Sequence, residues 1–179
     1  KELATAYKSP EKLLQAVALS TTGLEQDIAA RKLFPMMVPQ AFVSRMEPGN
    51  RRDPLLLQVF PDADEFADKP GFSLDPLLEQ TNEQPGILHK YQSRVLLVVK
   101  GGCAVNCRYC FRRHFPYEDN AVNKQQLKQH LDYIANHPEI NEVILSGGDP
   151  LMAKDSHLQW FINELEAINH VTRLRIHSR

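Results

Sequence analysis

The sequence predicts an α/β fold of parallel strands preceded by a region of short helices, on three observations. Residues 95–99 form a continuous β-branched and leucine run, as expected of a strand buried on both faces, and residues 142–145 and 172–177 read as a second and third strand. Between them lie two segments with apolar residues at helical spacing: Leu127, Leu131 and Ile134, then Leu158, Phe161, Ile162 and Leu165. The resulting β-α-β-α-β order requires right-handed crossovers, which lay the three strands parallel.

The elements follow in chain order. Residues 1–61 read as a helical region. Ser9-Pro10 supplies a cap and a first helical position, and Leu13, Leu14, Val17 and Ala18 form one apolar face. Leu24, Ile28 and Phe34 mark a second helix, broken at Pro35. Pro39 opens a third that ends near Pro48-Gly49, and Asp53-Pro54 starts a fourth that Pro61 closes. This region is expected to form a helical cap or a dimer surface, and a homo-oligomer is among the expected partners. Residues 62–91 hold no period of 2 or 3.6 and read as an irregular connection. Residues 92–179 carry the strands, with one helix running from about Asn123 to before Pro138 and a second capped by Asp155. The loops after the three strands converge on the carboxyl edge of the sheet, where α/β proteins place active sites. Three strands do not close a barrel. The sequence starts at Lys1 and stops at Arg179 after a strand, so it reads as a fragment.

With 21 basic and 22 acidic side chains in 179 residues, no electrostatic footprint for nucleic acid or an anionic membrane exists. The longest uninterrupted apolar run, residues 95–99, is far short of a membrane span, and a cytoplasmic location is expected. All three cysteines fall within eight residues, the spacing of a ligand loop and not of a disulfide framework.

Cys103, Cys107 and Cys110 have C-x3-C-x2-C spacing after Gly101-Gly102. Four-iron clusters are held by thiolates, and three ligands leave one iron without a protein partner. The amino and carboxylate groups of S-adenosylmethionine suit that iron, which sets its sulfonium beside the cluster for one-electron cleavage. A zinc site with His114 as fourth ligand, the basis of a zinc-stabilised binding module, is the competing reading, and inert buried thiols are another.

In Ser146-Gly147-Gly148-Asp149-Pro150, the glycines allow close approach of backbone to a ligand, and Asp149 suits an ammonium group. A plain tight turn reads the same residues equally well. Arg94, Arg112 and Arg113 offer guanidinium forks for a phosphate or carboxylate near the carboxyl edge, or solvated charge in the case of Arg113. His89, Lys90, His114 and His177 are either ligand contacts or local hydrogen-bonding groups, and Trp160 reads as core.

The run from His89 to Tyr117 that contains the cysteines resembles the lysine 2,3-aminomutase family, in particular the bacterial branch that makes (R)-β-lysine for modification of elongation factor P. The likeness extends to residues 34–46 and 146–154. It implies a partial (βα)6 TIM-like radical S-adenosylmethionine barrel, with a 4Fe-4S cluster, S-adenosylmethionine and pyridoxal phosphate as cofactors. It also implies an isomerase that moves the 2-amino group of lysine through an azacyclopropyl radical. By match to the family pattern, Cys103, Cys107 and Cys110 bind the cluster and Gly147, Gly148 and Asp149 approach S-adenosylmethionine. Tyr91 and Arg94 hold pyridoxal phosphate, and Arg112 pairs with the substrate carboxylate. The Schiff-base lysine and the carboxylates for the substrate ammonium groups are expected beyond Arg179, so no catalytic residue is nominated here. The implied partners are lysine and, through a ligase that uses β-lysine, the elongation factor P pathway; the alternative is free β-lysine for metabolism.

Overall fold

The computed structural model describes residues 2–79, 84–118, 120 and 123–178, with the backbone alone for Lys124. The chain forms two compact units: Lys1–Pro76 with Ala104–Arg113, and Leu77–Cys103 with His114–Arg179. The cysteine-bearing segment Ala104–Arg113 therefore clusters with the helices, although the sequence reading assigns it to residues 92–179.

The first unit holds four short α-helices: α1 (Pro10–Ala16), α2 (Glu25–Ala29), α3 (Gln40–Val43) and α4 (Pro54–Val59). Helices this short are not stable alone, so caps and packing hold them. The Ser9 hydroxyl accepts from the Lys12 N–H, and Asp53 caps α4 through the N–H groups of Leu55 and Leu56. Helix α1 stops one residue before Val17, and Ala18 takes a left-handed φ of 56°, so it lies outside the helical face expected for it. Leu13, Val17, Met36, Val38, Val43, Met46, Leu56 and Val59 form the core of this unit.

The second unit is a four-stranded mixed sheet in the order β1 (Ile87–Tyr91), β2 (Arg94–Lys100), β3 (Glu142–Gly147), β4 (Arg173–Ile176). Strands β2, β3 and β4 are parallel, as the sequence predicts. Strand β1 is an addition: it pairs antiparallel to β2 in a hairpin, so residues 87–91 are not part of an irregular connection. Two helices, α5 (Lys124–Ala135) and α6 (Asp155–Glu166), follow β2 and β3. Asn123 caps α5 in a capping box with Gln126, whereas the cap position of α6 is Lys154 and Asp155 is its first helical residue.

Alternation along the strands divides the sheet. Val95, Leu97, Val99, Val143 and Leu145 pack with Leu127, Leu131, Ile134, Leu158, Phe161 and Leu165 of the helices, and Trp160 lies half-buried against this core. Arg94, Leu96 and Val98 register with Glu142, Ile144 and Ser146 on the opposite face. The sheet is not closed, and all four residues of β4 are exposed. Among the described residues, no helix is long and apolar enough to cross a membrane.

Candidate functional site

At the carboxyl edge of β2 and β3, the Gly147-Gly148-Asp149 turn is bonded to the glycine pair that leads into Cys103. The Gly148 N–H donates to the Lys100 carbonyl at 2.7 Å and the Asp149 N–H to the Gly102 carbonyl at 3.1 Å. Gly147 adopts φ +124°, and a Cβ on Gly148 would stand 2.7 Å from the carbonyl carbon of Gly102, so both positions require glycine. Asp149 is 6% exposed, and its Oδ1 accepts from the Leu151 N–H at 3.0 Å and the Ser178 hydroxyl at 2.9 Å. This carboxylate thus ties the loop after β3 to the residues after β4. Arg179 lies outside the described residues.

In the first unit, the segment carrying Cys107 and Cys110 is fastened along its length. The Asn106 N–H donates to the Met37 carbonyl at 3.0 Å, its side-chain amide to the Pro35 carbonyl at 3.1 Å, and the Arg108 N–H to the Gln58 carbonyl at 2.8 Å. The Cys110 N–H donates to the Cys107 carbonyl at 3.1 Å, which bends the chain between the two thiols. Arg108 turns inward and forms a bidentate pair with Glu65, at 2.8 and 2.5 Å. Burial opposes the charge on Glu65, but hydrogen bonds from Arg108, Arg113 and the Asp62 N–H outweigh it and hold the carboxyl below its ordinary range. Arg113 is therefore a partly buried ion-pair partner of Glu65, not solvated surface charge. Arg112 is 7% exposed, with its guanidinium over the Phe111 ring at 5.0 Å.

Tyr91 and Arg94 lie elsewhere. Arg94 is the first residue of β2 and Tyr91 the last of antiparallel β1, so both sit at the amino end of the parallel strands, stacked at 5.4 Å. A seven-residue strand spans about 20 Å, which separates this pair from the Gly-Gly-Asp turn. The expectation that Arg94 stands near the carboxyl edge is thus corrected. Its partner is Glu142, 1% exposed, whose carboxylate also faces Arg173 and Arg175 at 3.4, 4.0 and 2.5 Å for the three arginines. His89 meets the Tyr133 hydroxyl at 2.8 Å, the Lys90 amine donates to the Leu77 carbonyl, and His114 and His177 are exposed. A cavity of about 510 Å³ beside α5 is lined by residues including His130, Tyr133 and His137, and by none of the predicted site residues.

The donor set fits an iron–sulfur cluster: the three cysteines form no disulfide, Cys107 is buried, and Cys103 and Cys110 are half-buried. Among the described residues, no three His, Cys, Asp or Glu side chains are gathered closely enough to hold an ion, so the fit rests on residue type and spacing. Residues 97–179 match the Radical SAM superfamily. Along its whole length the chain is similar to the L-lysine 2,3-aminomutase of Haemophilus influenzae, at 57% identity over 99% of this chain and 53% of that protein. Identity to the L-lysine 2,3-aminomutase of Escherichia coli K12 is 55%, over 99% of this chain and 52% of that protein, and to that of Clostridium subterminale 34%, over 94% and 41%. The chain is thus similar along its length to proteins named L-lysine 2,3-aminomutase, and its second half carries the Radical SAM match. It spans about half the length of the curated relatives it matches.

Four residues that hold these segments in place escape sequence reasoning. Arg108 and Glu65 are 43 positions apart, Phe34 lies beneath both Arg108 and Arg113, and Glu142 opens a strand where an exposed carboxylate is the ordinary expectation. An arginine inside the cysteine spacing was the one available signal; its partner is visible only once the chain is folded.

Proposed function

We propose that the whole protein is a radical S-adenosylmethionine isomerase converting (S)-α-lysine to (R)-β-lysine, supplied for modification of elongation factor P, and that this chain carries its cluster loop. The C-x3-C-x2-C loop after β2, in a chain 55–57% identical to proteins named L-lysine 2,3-aminomutase, is the observation that carries the reading. When bound, the 4Fe-4S cluster supplies the electron that cleaves S-adenosylmethionine, and pyridoxal phosphate supplies delocalisation for the migrating nitrogen.

The chain's own residues divide the remaining work. Cys103, Cys107 and Cys110 provide three thiolates and leave one iron for a small-molecule ligand. Gly147, Gly148 and Asp149 approach S-adenosylmethionine by match to the family pattern, while the two glycines let this turn pack against the backbone of Lys100 and Gly102. By match to the family pattern alone, Arg94 and Tyr91, at the amino end of β2, take the phosphate of pyridoxal phosphate, and Arg112 takes the substrate carboxylate. The proposed setting is a partial (βα)6 barrel, of which β2, β3 and β4 are the first parallel strands.

The test uses full-length protein purified and reconstituted without oxygen. The expected result is a brown protein whose reduced cluster changes its electron paramagnetic resonance spectrum on addition of S-adenosylmethionine. It converts lysine to β-lysine, and Cys107→Ala abolishes both properties. Colourless protein with stoichiometric zinc overturns the reading. Mass spectrometry of elongation factor P incubated with the enzyme and its ligase separates the elongation factor P role from production of free β-lysine.

A further inference from the structure

Burying a guanidinium is costly unless its N–H groups are answered. Arg108, between Cys107 and Cys110, is 8% exposed and has acceptors on every side. Its Nη1 donates to the Phe34 carbonyl at 2.8 Å, its Nη2 to the Ala30 carbonyl at 3.4 Å, and Nε and Nη2 reach the two oxygens of Glu65. Arg113, three residues beyond Cys110, donates Nη2 to the same Glu65 oxygen at 2.6 Å and Nη1 to the Arg108 carbonyl at 3.3 Å. Both guanidinium groups lie over the Phe34 ring, at 5.5 and 5.3 Å. Glu65 is itself fixed, since its Oε1 accepts from the Asp62 N–H at 3.0 Å.

One carboxylate therefore grips the cysteine segment from both sides of Cys110. We propose that Glu65 is a positioning residue for the iron–sulfur cluster. Through Arg108 and Arg113 it sets the orientation of the loop that presents Cys107 and Cys110. This inference rests on the cluster reading above. It adds a residue from outside the cysteine motif, on a 3-10 turn at Ala63–Phe66.

The experiment uses the full-length protein, reconstituted without oxygen. Glu65→Gln keeps the side chain's shape and removes its charge; Arg113→Gln leaves the Arg108–Glu65 fork in place. The rate at which excess chelator strips iron and the resonance spectrum of the reduced cluster are compared with wild type, with circular dichroism as the control for folding. Expected is iron loss roughly tenfold faster in Glu65→Gln, with an altered spectrum and a retained fold, and an intermediate rate in Arg113→Gln. Iron loss at the wild-type rate with unchanged spectra in both variants overturns the proposal. Should Glu65→Gln fail to fold, Arg113→Gln decides on the same readout. A wild-type protein that takes up no cluster removes the underlying reading, and the proposal with it.

Discussion

Gly148, just after β3, differs from Gly102 in a way that mutation measures directly. A Cβ at Gly148 meets the backbone of Gly102 at 2.7 and 2.8 Å, whereas a Cβ at Gly102 meets nothing within 4 Å. Backbone does not swing aside as a side chain does, so Gly148→Ala is expected to cost about 2–3 kcal/mol, while Gly102→Ala stays within about 0.5 kcal/mol. Urea unfolding monitored by Trp160 checks both, and equal values for the two variants contradict the geometry. Glu142 supplies a second contrast. Its carboxylate is buried among three arginines whose side chains are 42–62% exposed, so solvent screens part of each pair. Glu142→Gln is expected to destabilise by about 2 kcal/mol, less than a fully buried pair, and Arg173→Ala by under about 1 kcal/mol.

Elements in this chain depend on their ends. Asn123 accepts from the N–H groups of Gln125 and Gln126, and the Gln126 side chain answers the Asn123 N–H, so Asn123→Ala is expected to lower stability by about 1 kcal/mol. Asp53 has more to lose: besides capping the six-residue α4 it accepts from the Glu47 N–H, the bond that does most to hold its carboxyl below the ordinary range. Calorimetry is expected to show a larger fall in melting temperature for Asp53→Ala than for Asn123→Ala. Such ends were legible beforehand where the signal is local. Ser9-Pro10, Asp53-Pro54 and Asn123 announce helix starts, and the run at residues 95–99 announces β2, because cap chemistry and strand burial are written within a few residues. Strand β1 was not legible. Its burial runs from buried at Ile87 and Leu88 to exposed at Lys90 and Tyr91 without alternation, and only pairing with β2 makes it a strand. The same holds for Glu65 and Arg108, whose pairing depends on tertiary folding.

At the scale of the whole molecule, the two units lose stability to acid in different pH ranges. In the second, His130 is 3% exposed, and desolvation pushes its pKa below the ordinary 6.5 even though its Nε2 meets the Pro85 carbonyl at 2.9 Å. The folded state disfavours the proton that the unfolded chain accepts freely, so stability is lost as pH falls below about 6.5. In the first unit, Glu65 is held below the ordinary 4.5, so its contribution persists down to that value and is lost as pH falls further toward the folded pKa. Acid is therefore expected to loosen the second unit first. Trp160 is the chain's only tryptophan and packs on the core of that unit, so its fluorescence reports this step, while amide hydrogen exchange in α1 and α4 reports the other. His130→Gln, which has no proton to gain, is expected to shift the Trp160 transition to lower pH and to leave exchange in α1 and α4 unchanged. A single transition common to both probes, unmoved by His130→Gln, contradicts this assignment of acid sensitivity to separate groups in separate units.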